Sequence, residues 1–207
     1  MPTKFDAPDF CDRCYFHSGG CLCDSLEQVP SQLRWSIIMY KREFNLSSNT
    51  GRLAKNTLPN CEIYLRGIQD QPIDWENIIK EDEQNFVFFP SDDAIDITEV
   101  ELDPNKKVHI IVPDGSWNQA AKIPKREKPL AKIQKIKLPN EAYTSNYYLR
   151  KAPKPGYLCT YESMSKVVEN WEGKELSKIM DKNLKELVKT SLKNRRHFSK
   201  TLLELDL

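Results

Sequence analysis

Apolar positions along the chain fall into short, almost unbroken runs set between polar loops, followed by two longer stretches with helical spacing. Residues 33–40, 86–89 and 108–112 are rich in β-branched and aromatic side chains, the pattern of strands buried on both faces of a sheet. Residues 61–66 add a further strand, and 132–138 alternate apolar with polar so that their lysines point outward. Helical segments are expected after Asn49-Thr50, which caps a short helix, over residues 73–80, and over 160–171. Residues 176–205 carry an amphipathic stripe of Leu176, Ile179, Met180, Leu184, Leu187, Val188 and Leu192. Strands feeding helices predict an α/β fold with a mostly parallel sheet. Residues 95–105 read as an acidic surface excursion.

The 108–112 strand runs through Pro113-Asp114-Gly115 into Trp117-Asn118-Gln119-Ala120-Ala121-Lys122, a helix start. In open parallel sheets ligands bind beyond the carboxyl ends of the strands, so Asp114 faces a ligand there or serves as turn former and helix cap. The 86–89 strand also ends in Pro and a small acidic loop, Pro90-Ser91-Asp92-Asp93. Residues 156–163 supply a third strand-to-helix junction, so three such loops are expected to line one pocket. Gly51 permits close backbone approach at its helix start, where free amides can meet an anion.

At 207 residues the chain has room for a real core, and no apolar run approaches the twenty residues of a membrane span. The start of the chain shows no secretory signal, and a soluble cytosolic protein is expected. Net charge is only +1 but unevenly spread. Residues 69–103 hold twelve acidic side chains against Lys80, or −11, whereas 119–155 hold ten basic against two acidic, or +8. Residues 174–200 hold nine basic against three, or +6. Two basic blocks fit a phosphate backbone, although each alone is also a solvated helix face. Walker, Gly-x-Gly-x-x-Gly, nucleophile-elbow and His-Glu-x-x-His signatures are all missing from the sequence. His109 and His197, with Cys61 and Cys159, read as packing or surface residues.

Cys11, Cys14, Cys21 and Cys23 place four thiols within thirteen residues, with Gly19-Gly20 allowing the chain to fold back. This is the donor set of a structural zinc knuckle. A disulfide pair, or His17 replacing one thiol, is the lesser alternative.

Three segments, Asn49-Thr50-Gly51-Arg52-Leu53, Asp114-Gly115-Ser116-Trp117, and residues 145–150 followed by Thr160-Tyr161-Glu162, together resemble the DTW-domain family of tRNA-uridine aminocarboxypropyltransferases. The resemblance covers about residues 11–172 and includes the cysteine cluster; Ser116 stands where the family has Thr. It implies a SPOUT-like knotted catalytic domain over 31–172, between a zinc segment at 1–30 and a basic amphipathic helix at 173–207. S-adenosylmethionine is then expected against Thr50, Pro90, Ser91, Asp114, Gly115, Ser116, Trp117, Leu158 and Thr160. The reaction moves the 3-amino-3-carboxypropyl group to uridine N3 in tRNA and releases 5′-methylthioadenosine. Asp114 is the expected base, and Glu162 is its rival or a partner for the transferred amino group. Arg52 or Arg150 pairs with a carboxylate or phosphate, and Trp117 stacks a base or packs in the core. Lys122, Lys125, Arg126, Arg195 and Arg196 are expected to meet tRNA phosphates. A monomer without membrane association is favoured. The alternatives are an rRNA aminocarboxypropyltransferase, a SPOUT methyltransferase, or a zinc-stabilised RNA-binding module without chemistry.

Overall fold

The computed structural model describes residues 10–46, 48–149 and 156–194. Six parallel strands form one sheet: β1 (Arg34–Tyr40), β2 (Cys61–Arg66), β3 (Glu83–Phe88), β4 (Ile95–Asp96), β5 (Lys107–Asp114) and β6 (Gln134–Lys137), in the order β2-β1-β5-β3-β6-β4. The helices are α1 (Lys41–Phe44), α2 (Thr50–Thr57), α3 (Trp75–Ile78), α4 (Trp117–Ala120), α5 (Ile123–Arg126), α6 (Thr160–Trp171) and α7 (Lys174–Asn194).

Strand periodicity divides the apolar residues between two cores. Trp35, Ile37, Met39, Phe86, Phe88, Ile110 and Val112 face a large core covered by α2, α6 and α7. Ile38, Val87 and Ile111 point the other way into a smaller core with Ile78 of α3, Ile123 of α5 and Leu130, rimmed by half-buried residues such as Trp75, Ile79 and Ile133. Central strands buried on both faces explain why β1, β3 and β5 read as continuous apolar runs. The large core also takes in Cys14, Phe16 and Leu22 near the start of the chain and Met180, Leu184, Leu187, Val188 and Leu192 of α7. At ~1.5–3 kcal/mol per buried side chain, those five positions fasten α7 to the body by roughly 10 kcal/mol. Its stripe is therefore a packing face, and its exposed lysines lie opposite.

Two segments differ from their sequence patterns. Residues 95–105 are not wholly a surface excursion: Ile95 and Asp96 pair with Ile136 and Lys137 at the sheet edge, and Ile97 is buried, its carbonyl accepting from Trp171 Nε1 at 3.1 Å. Acidic composition hid a strand only two residues long. Residues 156–159 form no strand either; they approach α6 as irregular backbone, without a sheet partner to pair with.

Candidate active site

The carboxyl ends of β1, β3, β5 and β6 open onto a cleft of about 1100 Å³. Its floor and walls come from the three loops expected to converge, Phe89 and Pro90 after β3, residues 114–117 after β5 and residues 156–160 leading into α6, and from a fourth segment not expected there, residues 137–148 from the end of β6 onward. Asn49 and Thr50 at the start of α2 close one side. Eight of the nine residues expected at the cofactor, Thr50, Pro90, Asp114, Gly115, Ser116, Trp117, Leu158 and Thr160, line it. Ser91 does not; its hydroxyl instead donates to Asp93 Oδ1 at 2.8 Å.

Asp114 ends β5 and is 7% exposed. Thr160 Oγ1, at the first position of α6, donates to Asp114 Oδ1 at 2.6 Å, and Asn49 Nδ2 reaches Oδ2 at 3.4 Å. Asp114 thus joins three elements at the cleft wall and is not the cap of α4. Capping falls to Ser116, whose amide donates to Gln119 Oε1 at 2.9 Å. The bend between them needs glycine: Gly115 has φ +152°, and a Cβ there would stand 3.1 Å from that of Gln119. Gly51 answers a different need. A Cβ on it would lie 2.8 Å from Met39 Cε and 3.2 Å from Asp114 Oδ2, so its bareness lets α2 approach the carboxylate.

Glu162 lies one turn into α6 and is 7% exposed. Its Oε1 accepts from the Asn146 amide at 2.6 Å and Ser145 Oγ at 3.0 Å; its Oε2 accepts from the Cys159 amide at 2.8 Å and Ser145 Oγ at 2.8 Å. Both oxygens are therefore spent on fastening residues 145–146 to the helix start, a wall of the same cleft.

Trp117 is 39% exposed on the cleft, not a core residue. Its ring meets Tyr157 edge-on at 4.2 Å between centroids and lies tilted to Phe89 at 6.5 Å. Tyr148, 49% exposed, adds a further aromatic surface. Among the described residues, the charged lining consists of Glu43, Asp114 and Glu141 against Lys137. Burial and then the charge of Glu141 push the Tyr143 hydroxyl up. The cleft interior therefore favours a cation, while Lys122, Lys125 and Arg126 stand exposed outside it on α5 and its cap. Glu43, Glu141 and the tyrosines carry no sequence signature, because they sit in irregular loops that only the fold brings together.

The four cysteine sulfurs lie within 4.8 Å of one another, with Cys11–Cys23 at 3.7 Å and Cys14–Cys21 at 3.6 Å, and none is in a disulfide. Thiolates at about 2.3 Å from a central ion would be separated by about 3.8 Å. The cluster can therefore hold one metal ion and is compatible with structural zinc. His17 stays out of it and caps a turn, accepting from the Gly19 amide at 3.3 Å. Burial and then the sulfur neighbours push the Cys23 thiol up, a penalty that a bound dication removes.

Arg52 is not at the cleft. It is 4% exposed between α2 and the knuckle, donating to the carbonyls of Cys14 at 3.3 Å and Leu46 at 3.0 Å, with Tyr15 3.9 Å from its guanidinium carbon. Burial pulls its guanidinium down to about 10, against the opposing pull of Tyr15 and Cys14. Arg150, Arg195 and Arg196 lie outside the described residues. His109 is fully buried at the opposite, amino end of the sheet, held by Asn85 Oδ1 at 2.7 Å and Ser36 Oγ at 2.8 Å. No helix among the described residues is long and apolar enough to cross a membrane.

No solved structure matches the chain. Residues 8–192 match the family model of the DTW domain, a span that takes in the knuckle, the sheet, the cleft and nearly all of α7. With that span covered, the chain belongs to the DTW-domain family, the family of tRNA-uridine aminocarboxypropyltransferases.

Proposed function

We propose that the cleft binds S-adenosylmethionine and that the protein transfers its 3-amino-3-carboxypropyl group to N3 of a uridine in tRNA. The observation that carries this reading is Asp114, held by Thr160 and Asn49 on the wall of a net-acidic, aromatic cleft beside an exposed basic surface. A sulfonium with a free amino group is the kind of cation such an interior favours, and aromatic faces attract it further. Phosphates, by contrast, are repelled from the interior and drawn to Lys122, Lys125 and Arg126. The division matches a small cationic donor inside and a nucleic acid outside. A structural zinc ion at the four cysteines and a knotted, SPOUT-like path of the chain belong to the same reading and rest on family membership.

In this reaction the N3–C bond forms as the C–S bond breaks; the electron pair neutralises sulfur, and the N3 proton must leave. The sulfonium is already a good leaving group, so the chain's work is to orient the partners and accept that proton. Asp114 is the better placed carboxylate for acceptance, since Glu162 is committed to three donors, the Ser145 hydroxyl and the Asn146 and Cys159 amides. Glu162 then acts as a positioning residue, and Trp117, braced edge-on by Tyr157, supplies an exposed ring for a base or the adenine. The test is nucleoside mass spectrometry of tRNA incubated with S-adenosylmethionine and either wild type or Asp114→Ala. Wild type is expected to yield aminocarboxypropyluridine and methylthioadenosine, and the variant neither at a comparable rate. S-adenosylhomocysteine as the product would identify a methyltransferase and refute the reading.

A further inference from the structure

Arg52 is a buried cation in an unusual setting. Among the described residues no carboxylate makes an ion pair with it, its Nε has no hydrogen-bond partner, and its fork is spent on two main-chain carbonyls. Leaving a charge in such a place without a countercharge is costly. One of those carbonyls belongs to Cys14, and four thiolates around a dication leave two net negative charges at the knuckle. Tyr15, next to Cys14, holds the uncommon φ of +59°, which lets its ring lie 3.9 Å from the guanidinium carbon. The other carbonyl, Leu46, also accepts the Asn49 amide at 2.9 Å. Asn49 in turn accepts from the Arg52 amide at 2.9 Å and donates to Asp114.

We propose that Arg52 is a positioning residue that couples the knuckle to the cleft: its guanidinium is the countercharge of the metal-loaded thiolates and pins, through Leu46 and Asn49, the wall against Asp114. Arg52 then serves neither the donor's carboxylate nor an RNA phosphate. Its reach to Asp114 matters for activity only if the proposed function holds, whereas the pairing with the metal-loaded knuckle stands independently.

The test compares wild type, Arg52→Met and Arg52→Lys in two measurements. Zinc retention is read against a chromophoric chelator: Met is expected to weaken it about 10- to 100-fold, as loss of a residue supporting the ligands does, and Lys, which keeps the charge, to recover most of it. S-adenosylmethionine affinity is read by calorimetry at saturating zinc: Met and Lys are both expected to lose about tenfold or more, because neither spans the Cys14 and Leu46 carbonyls. In turnover this appears as a raised KM with kcat largely kept. Wild-type zinc retention in Arg52→Met would overturn the charge pairing, and wild-type ligand affinity in both variants would overturn the coupling. Should the Met variant not fold, its Lys counterpart carries the test, since retained zinc with weakened ligand binding is the result only coupling gives. If wild type itself binds no S-adenosylmethionine, the functional reading fails while the zinc measurement still decides the pairing.

Discussion

Replacing Glu162 with Gln separates a clamp from a chemical role. In the native arrangement each oxygen takes one backbone amide, Asn146 at 2.6 Å on Oε1 and Cys159 at 2.8 Å on Oε2, and Ser145 Oγ approaches both. A carboxamide offers one oxygen and one NH2. Whichever way it is turned, one of the two amides faces a donor and loses its acceptor. A buried donor left unsatisfied costs about 1–3 kcal/mol, and the surviving bonds lose the strengthening that a charged acceptor provides, about 1 kcal/mol more. Removing a negative charge from the first turn of α6 adds ~0.3–1 kcal/mol. The sum is roughly 3 kcal/mol, which for a domain of this size lowers Tm by about 6–12 °C. Ser145→Ala leaves both of these amides paired but takes from the Tyr147 amide its acceptor at 3.1 Å, and is expected to cost about 1–2 kcal/mol, less than Glu162→Gln.

Urea unfolding of the three proteins, with donor KM and kcat measured on the same samples, checks the argument. The clamp predicts a large loss of stability for Glu162→Gln, a smaller one for Ser145→Ala, and a raised KM in the first. Wild-type stability in Glu162→Gln together with a kcat reduced a hundredfold or more at unchanged KM would refute it and return Glu162 to the chemistry.

Burial, with Arg34 adding to it, pulls His109 down to about 3. The unfolded chain therefore binds a proton below about 6.5 that the folded one refuses until about 3, so stability is full above pH 6.5 and falls by about 1.4 kcal/mol per unit as pH drops through that window; urea midpoints from pH 7 to 4 are expected to fall less steeply in His109→Gln. Gly51→Ala forces Met39 or Asp114 to move, and is expected to cost about 1–3 kcal/mol of stability and to lower turnover at least tenfold, read by thermal melts and donor kinetics. Cys21→Ser is expected to lower the zinc that the purified protein retains and, like chelator treatment, to lower Tm, because Cys14 and Leu22 belong to the large core; metal analysis beside calorimetry measures both.

Much of the fold was legible because its central strands are buried on both faces, which leaves apolar runs at 33–40, 86–89 and 108–112. Strand ends followed by Pro and small acidic loops likewise pointed to the cleft, and β3 and β5 do lie side by side. What local pattern could not convey was partnership across distance. Arg52 in a helix start looks like an anion ligand until Cys14, 38 positions earlier, supplies a carbonyl above it. Glu162 looks like a base until residues 145–146 fold back from 16 and 17 positions upstream. Even the cap after β5 went to Ser116 because Gln119, not Asp114, has the reach to close a reciprocal pair.

The same logic explains why charge counted along the chain mispoints within the site. The 119–155 block is strongly basic, yet only Lys137 of it is a cation lining the cleft among the described residues, beside Glu43, Asp114 and Glu141. Helical and turn geometry leaves Lys122, Lys125 and Arg126 exposed, while Glu43, Asp114 and Glu141 are brought to the cleft from α1, the end of β5 and the loop after β6. On the proposed reading, a polyanion held on that outer surface would meet an interior that repels its backbone, so that an uncharged base would be what enters. Extruding the base costs a few kcal/mol of lost stacking, which exposed aromatic faces such as Trp117 and Tyr148 are suited to offset. Phosphate attraction and base admission are then separate properties of neighbouring surfaces: removing the lysines should weaken tRNA affinity with a reduced salt slope, and removing the aromatic wall should leave that slope intact.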